Sequence, residues 1–201
     1  MIIEECEQYS GHWWAMRSGI PTASCFDQIL TPKEMKPSKS QQKYMYTLAG
    51  ERIAGINPET YTNAHMERGK ELEEEARNYF QVVMNKNVRQ VGLIFQDQDK
   101  RWSCSPDGLL ETEGLEIKCP AMHTHIGYLL DGSLPREYIP QVQGSMMITG
   151  FSHWWFLSYY PGLKPLILKV PRDDKWCSAL KVELDTFCKR LSEVEKKLRE
   201  L

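Results

Sequence analysis

The stretch Ser103–Pro120 constrains the fold of this chain more than any other segment. Its sequence predicts two short strands joined by a turn, with Asp107 at the end of the first strand. Glu116 and Lys118 stand two residues apart on the second strand, so they share one face while their apolar neighbours take the other. We therefore expect a buried strand to hold two carboxylates and an ammonium group at one place on a sheet.

This combination of side chains suits a metal site. Carboxylate oxygens are hard ligands for Mg²⁺ or Mn²⁺. A lysine beside such an ion can orient a water molecule or stabilise charge that develops on a phosphate. For an arbitrary chain, however, an Asp-Gly turn and a solvated Glu-x-Lys pair are the commoner explanation. The rest of the sequence is needed to choose between a metal site and an ordinary turn with a solvated strand.

Composition limits the class of protein. The 201 residues, 41% hydrophobic and 26% charged, are typical of one globular domain with a sizeable core. The six cysteines are scattered without a C-x-x-C pair, which indicates reduced thiols rather than a zinc or iron–sulfur framework. The acidic N-terminal segment is not a signal peptide, and no apolar run approaches the roughly 20 residues of a membrane span. We expect a cytosolic protein, and the net charge of −2 confines any DNA contacts to local basic tracks.

A helix predicted over residues 65–84 supplies a third acid. Glu73 shares its stripe with the apolar residue Phe80, so its side chain should point toward the core, whereas Arg77 falls on the polar side. An inward glutamate is costly unless it is paired or bound to a metal. Glu73 is therefore a candidate ligand, although the neighbouring glutamates are those of a solvated face.

The N-terminal segment contains a candidate phosphate site. A short helix is predicted over residues 4–16, and a second begins after a turn, with Thr22 or Ser24 as its N-cap, and runs to about Leu30. Hydroxyl groups at a helix N-terminus, with Arg17 nearby, can bind a phosphate. An ordinary capped helix is the alternative.

The lysines of the loop predicted over residues 31–43, among them Lys36 and Lys39, form the best local basic track. A solvated linker explains them equally well. Two glutamines, Gln141 and Gln143, lie on a later helix and could face a site or solvent. The other predicted elements are a helix over 41–54, a loop over 55–63, strands over 88–96 and 101–106, a loop over 121–135 that includes His123 and His125, a helix over 136–149, a strand over 153–160 paired with 166–170, and a helix over 173–201. The aromatic residues of the strand over 153–160 favour core packing over a stacking platform for bases.

Five motifs in order resemble those of one nuclease family. They are Trp13-Trp14-x-x-Arg17-x-Gly19-x-x-Thr22-Ala23-Ser24, Arg68-Gly69-Lys70-x-x-Glu73, Cys104-Ser105-Pro106-Asp107-Gly108, Leu115-Glu116-Ile117-Lys118-Cys119-Pro120 and Gln141-Val142-Gln143. The family is that of lambda exonuclease and the YqaJ-type viral recombinases, within the PD-(D/E)xK nuclease superfamily. The resemblance implies an α/β (α+β) fold with a restriction-endonuclease-like core, a mixed central sheet flanked by helices. It also implies one domain over 1–201, with a helical part to about residue 63, a nuclease core over about 64–171 and a C-terminal helix.

The resemblance also implies an activity and its partners. The family removes the 5′-phosphorylated strand of linear duplex DNA processively, releases mononucleotides and leaves 3′ overhangs. It works with Mg²⁺ (Mn²⁺ is possible), two ions per active site, as a toroidal homotrimer. Its partner is a single-strand annealing protein of phage or prophage recombination in the bacterial cytoplasm.

Carried over residue by residue, the resemblance assigns roles. Asp107, Glu116, the backbone carbonyl of Ile117 and Glu73 would hold the metal ions, Lys118 would orient the attacking water, and Gln141 would lie beside the site. Arg17, Ser24, Thr22 and Gln143 would contact the 5′ phosphate or DNA, and Lys36 and Lys39 are assigned to DNA from charge alone.

Two alternatives stay open. One is another nuclease of the same fold, such as an endonuclease. The other is a non-catalytic DNA-binding module that keeps the fold. The intact set Asp107, Glu116 and Lys118 favours catalysis over the second alternative.

Overall fold

The computed structural model describes residues 1–55 and 64–201, with residues 64–70 described by their backbone alone. The elements are β1 (Ile2–Glu4), α1 (Gly11–Arg17), a 3-10 helix (Ala23–Gln28), α2 (Gln41–Ala54), α3 (Ala64–Met84), β2 (Leu93–Phe95), β3 (Ser103–Cys104), β4 (Gly108–Leu109), β5 (Gly114–Lys118), α4 (Met122–Asp131), a 3-10 helix (Arg136–Tyr138), α5 (Ile139–Thr149), β6 (His153–Ser158), β7 (Leu166–Pro171) and α6 (Asp174–Arg199). The predicted mixed α+β fold is confirmed.

The strands form two sheets. An antiparallel sheet has the order β1-β2-β3, and a four-stranded sheet has the order β4-β5-β6-β7. In the second sheet β5 and β6 are parallel, and the outer pairs are antiparallel. Parallel neighbours need a long crossover, which α4 and α5 provide here. The crossover brings α5 back onto the sheet beside β5.

Both faces of β5 are covered. Leu115 and Ile117 pack with Ala76 and Phe80 of α3 in one apolar cluster. On the other side of the sheet Trp154 and Phe156 of β6 pack with Val142 and Met146 of α5. The expectation that the aromatic residues of this strand fill the core is confirmed for these two side chains. A charged group on β5 that faces α5 is therefore surrounded by protein.

The hairpin around Asp107 differs from the prediction. The strand before Asp107, β3, belongs to the three-stranded sheet, and β4 begins at Gly108, after Asp107. Asp107 thus lies where the chain passes from one sheet to the other. The predicted strand 88–96 is reduced to β2. Arg89, near its predicted start, instead forms a single bridge to Leu109 of the other sheet, before the chain enters β2 and pairs with β1.

Three further expectations need correction. The helix predicted over 4–16 is β1 followed by α1, and the helix predicted to Leu30 is a short 3-10 helix. The loop predicted over 121–135 contains α4, whose C-cap is Gly132 in the left-handed conformation, φ 61°. His125 is therefore a buried helix residue, bonded to Ser158 Oγ and to the carbonyl of Lys164, and not a loop histidine.

Other predictions hold. α2 has the predicted bounds, and β6, β7 and α6 lie within a few residues of theirs. Apart from Gly55, the predicted loop over 55–63 lies outside the described residues, as do the side chains of Arg68 and Lys70. Within the described ranges no helix has the length and apolar character needed to cross a membrane.

Two helical glycines give a matched test of packing. A Cβ at Gly144 of α5 would lie 2.3 Å from a ring carbon of Phe26, whereas a Cβ at Gly127 of α4 would meet nothing within 4 Å. Alanine favours a helix over glycine by about 1 kcal/mol, but overpacking a core costs roughly 1–3 kcal/mol. In urea unfolding we expect Gly144→Ala to lower the free energy of unfolding and Gly127→Ala to leave it unchanged or raise it. An equal gain in both variants would contradict the tight contact between α5 and Phe26.

Candidate active site

The middle of β5 carries the most deeply buried acid. Glu116 is 1% exposed, and its Oε1 accepts a hydrogen bond from Gln141 Nε2 of α5 at 2.6 Å. The same oxygen pairs with Lys118 Nζ at 2.5 Å. The alternation along β5 thus places Glu116 and Lys118 together on the α5 face, as predicted, and Gln141 joins them.

Asp107 is fixed against the same strand. Its Oδ2 accepts a hydrogen bond from the backbone N–H of Ile117 at 2.6 Å. The antiparallel register of β4 and β5 pairs Gly108 with Leu115, so Asp107, just before β4, comes opposite Glu116 and next to Ile117. The structure thus brings Asp107 to the strand that carries Glu116 and Lys118.

Helix α3 supplies Glu73 from the opposite side, together with a cation that sequence reasoning misplaced. Arg77 is 6% exposed, forms an ion pair with Glu73, and donates Nε–H to the carbonyl of Asp107 at 2.8 Å. With its amide oxygen turned toward Arg77, Gln90 accepts from the same guanidinium at 3.0 and 3.1 Å. The prediction that Arg77 lies on the polar side is wrong, because a buried acid on α3 needs a cation. The i, i+4 spacing from Glu73 is a signal that could have found it.

Burial disfavours the ionised forms of the three acids at this site. Burial, and then the Asp107 charge, raise the pKa of Glu73 to about 7. Burial, opposed by Lys118 and reinforced by Asp107, raises the pKa of Glu116 to about 8, and burial also raises the pKa of Asp107. Burial acts to lower the pKa of Lys118, but the two carboxylates of Glu116 and Asp107 raise it above its usual range. Three acids thus face two cations, so the site carries one negative charge in excess when all three acids are ionised.

The donor set suits a hard divalent cation. Glu73, Asp107 and Glu116 offer only oxygen atoms, the ligands of Mg²⁺ and Mn²⁺. An added cation would favour the ionised forms of these acids, whose pKa values burial raises. As the side chains stand, no three acidic, imidazole or thiol groups in residues 1–55 and 71–201 are close enough to share one ion. Each carboxylate is instead bonded to a protein group. A metal ion would compete with Lys118 for Glu116 and with Arg77 for Glu73.

Arg17, Thr22 and Ser24 come together as predicted. Arg17 Nη2 donates to Thr22 Oγ1 at 3.1 Å, and Thr22 Oγ1 lies 3.2 Å from Ser24 Oγ. Thr22 holds the N-cap position of the 3-10 helix, but its side chain caps no backbone N–H. The guanidinium of Arg17 stacks over the rings of Trp13 and Trp14, 4.3 and 5.3 Å from their centroids.

This group is next to the carboxylate cluster. The depression beside Arg17 is also lined by Ser105, Ser145 and Gln141, the residue that bonds Glu116. Its volume is only about 20 Å³, the space of roughly one water molecule. A phosphate would therefore have to replace the hydrogen bond from Arg17 to Thr22.

Three predicted contact residues are not brought to the site. Lys36 and Lys39 are exposed on the loop before α2, and Lys36 pairs with Glu34 at 3.7 Å. Gln143 is buried; its amide donates to the carbonyl of Pro171 and accepts from the N–H of Asp173. The prediction that Gln143 contacts DNA is therefore corrected, because residues two apart on a helix point in different directions and this one holds the start of α6.

Sequence reasoning also missed the aromatic neighbours of the site. Lys118 Nζ lies 5.1 Å from the ring centroid of Tyr138, a cation–π contact that helps hold the ammonium in place. Burial, and then the charges of Asp107 and Glu73, raise the pKa of Tyr9 to about 12, whereas Lys118 and Arg17 act to lower it. Neither tyrosine belongs to a motif, so only the folded chain reveals them.

Comparison with known proteins agrees with this geometry. The family model described as the YqaJ-like viral recombinase domain matches residues 12–152. The chain belongs to this family. The crystal structure of an alkaline exonuclease (LHK-Exo) from Laribacter hongkongensis is similar, with a TM-score of 0.85, 33% identity, and 95% of this chain and 97% of that chain covered. The structure of LHK-Exo in complex with dAMP gives a TM-score of 0.86 at the same identity and coverage.

A more distant structure shares the fold of this YqaJ-like chain. A phage related exonuclease from Haemophilus somnus 129PT is 14% identical, with a TM-score of 0.72 over 89% of this chain and 96% of that chain. A search of curated proteins gives no match. The family resemblance that the five motifs suggested is confirmed.

The raised pKa values predict how stability depends on pH without metal. A carboxyl with a raised pKa in the folded state stabilises the fold below its ordinary pKa, and this contribution is lost as pH rises through the folded-state value. The folded-state pKa values of Glu73 and Glu116 are about 7 and about 8. The free energy of unfolding in EDTA should therefore fall as pH rises from about 5 to about 8. Glu116→Gln, which cannot ionise, should show a shallower fall in urea titrations. If the free energy of unfolding falls equally with pH in the two proteins, the raised pKa of Glu116 is contradicted.

Proposed function

We propose that this chain is a 5′-to-3′ exonuclease that acts on linear double-stranded DNA. Its membership of the YqaJ-like family and its 33% identity with an alkaline exonuclease support DNA hydrolysis as the reaction. One observation carries the polarity: the Arg17 group and the carboxylate cluster meet across Gln141. A terminal 5′ phosphate held by Arg17, Thr22 and Ser24 would place the next phosphodiester at Glu116 and Lys118.

The metal assignment belongs to the proposal. Asp107, Glu116, the backbone carbonyl of Ile117 and Glu73 would hold two Mg²⁺ ions, or Mn²⁺ ions. When bound, the ions supply a polarised phosphate and a water molecule that loses a proton more easily. The donor set suits a cation, and burial raises the pKa of all three acids, so a bound cation would stabilise their ionised forms.

The chain's own side chains supply orientation and charge. Lys118, with its raised pKa, stays protonated and can orient the attacking water or stabilise charge on the phosphate. Its contacts with Glu116 and Tyr138 fix the ammonium before substrate binds. Gln141 connects the two halves of the site through its bond to Glu116. Arg77 holds Glu73 and the backbone of Asp107 in their relative positions.

The wider setting is proposed on the family alone. We place the protein in phage or prophage recombination in the bacterial cytoplasm, where its 3′ overhangs would pass to a single-strand annealing protein. A homotrimeric ring would let a chain with a net charge of −2 stay on DNA processively, because topology replaces a strongly basic surface. Light scattering tests the trimer.

The proposal is tested by digestion of end-labelled linear duplex with either a 5′ phosphate or a 5′ hydroxyl. We expect digestion from the phosphorylated end in Mg²⁺, release of mononucleotides, and none in EDTA. Cleavage of covalently closed plasmid would favour an endonuclease. Absence of any cleavage in Mg²⁺ or Mn²⁺ would favour a non-catalytic DNA-binding module.

Lys118→Ala should lower the rate of nucleotide release by about 100-fold or more, because the group that faces the phosphate is lost. DNA binding and the unfolding transition should change little. Lys86→Ala is the matched control, since Lys86 pairs with Glu113 and lies away from Glu116. A turnover rate near that of the unsubstituted protein would remove Lys118 from the proposed role.

Arg17→Ala should lower the preference for 5′-phosphorylated over 5′-hydroxyl ends, because its guanidinium is the cation of the proposed phosphate pocket. Arg89→Ala is the control, as Arg89 is exposed and pairs with Glu5. The ratio of initial rates on the two ends measures the effect. If Arg17→Ala keeps the ratio of the unsubstituted protein, the phosphate pocket lies elsewhere.

A further inference from the structure

Tyr9 lies between the two halves of the proposed active site and has no role in the function given above. Its backbone is in the left-handed region, φ 67°, which residues other than glycine adopt rarely. Strain of this kind persists only where the surroundings impose it, and it is concentrated at functional sites. The side chain is nevertheless 44% exposed. Tyr9 thus combines an unfavourable backbone conformation with a ring that is only partly covered.

The ring of Tyr9 contacts the aromatic side chains that hold Arg17. The centroid of Tyr9 lies 5.2 Å from that of Trp13 and 6.4 Å from that of Trp14. The same two indoles stack with the guanidinium of Arg17. A continuous set of aromatic rings therefore joins Tyr9 to the cation proposed to hold the 5′ phosphate.

Tyr9 also lines a cavity of about 380 Å³, within the roughly 300–1,000 Å³ of small-ligand sites. Glu73 and Arg77 form part of its wall, so the cavity is next to the carboxylate cluster. Glu7 and Glu74 add two exposed acids to its lining. These acids disfavour a phosphate in the cavity, whereas a neutral base can enter it.

The terminal nucleotide has to connect these two places. If its 5′ phosphate lies at Arg17 and its 3′ phosphodiester at Glu116, its nucleoside has to lie close to both. Tyr9 adjoins the Arg17 group through Trp13 and Trp14 and adjoins the acids through the cavity that it lines with Glu73.

We propose that Tyr9 is the stacking platform for the base of the 5′-terminal nucleotide, and that the adjoining cavity receives this base. The inference rests on the proposed exonuclease function and adds the site for the nucleoside. Base–aromatic stacking tolerates any base, because every base has a π-face. The platform would therefore position the terminal nucleotide without sequence preference.

The test is a two-by-two comparison of enzyme and substrate. The substrates are linear duplexes with a labelled 5′ phosphate, with either a normal or an abasic terminal nucleotide, and kcat/KM for release of that nucleotide in Mg²⁺ is measured. A stacked base contributes about 1–3 kcal/mol, so the unsubstituted protein should lose about tenfold on the abasic end. Tyr9→Gly, which suits the left-handed backbone, should lose about tenfold on the normal end and show no further loss on the abasic end.

Two variants control for other effects. Tyr9→Phe keeps the ring and should behave like the unsubstituted protein. Tyr46→Ala removes a tyrosine that is 54% exposed on α2 and should keep the tenfold ratio between the two ends. A purely structural role of Tyr9 would lower both rates in Tyr9→Gly and leave their ratio at about tenfold, which would overturn the proposal. If the unsubstituted protein releases no nucleotide, the exonuclease function itself fails, and the stacking role fails with it.

Discussion

The structure depends on the burial of Glu116 in the middle of β5. A carboxylate that is 1% exposed needs partners, and Lys118 and Gln141 provide them. Asp107 and Glu73 add negative charge nearby, and Arg77 offsets part of it. Such a concentration of acids destabilises the fold unless protons or cations neutralise it. The crossover from β5 to β6 contains α5, and α5 places Gln141 against this side chain.

A second constraint gives the site its direction. The N-terminal segment crosses the three-stranded sheet, and Trp13 donates to the carbonyl of Gly92 and to Ser105 next to the Asp107 turn. This contact fixes Arg17 beside the carboxylates. A metal centre alone would cut any accessible phosphodiester, whereas one with a cation beside it can select the bond next to a chain end. Tyr9, at the junction of the two, would hold the nucleoside between them.

Much of this arrangement could be predicted from sequence because it depends on short-range patterns. Alternation along β5 indicated the shared face of Glu116 and Lys118, and helical periodicity indicated the inward side of Glu73. Arg77 escaped the pattern because its burial depends on tertiary pairing with an acid. α4 was predicted as a loop because glycine is a breaker signal, although Gly132 only ends this helix. Gln143 shared a motif with Gln141, yet the helix turns it toward Asp173.

Metal binding tests the central claim most directly. Mn²⁺ is titrated into the protein and free Mn²⁺ is followed by electron paramagnetic resonance, for the unsubstituted chain and for Asp107→Asn. If the three acids form the metal centre, the unsubstituted chain should bind Mn²⁺, Mg²⁺ should compete, and Asp107→Asn should bind far more weakly. Equal binding by the two proteins, or none by either with duplex DNA present, would contradict the account.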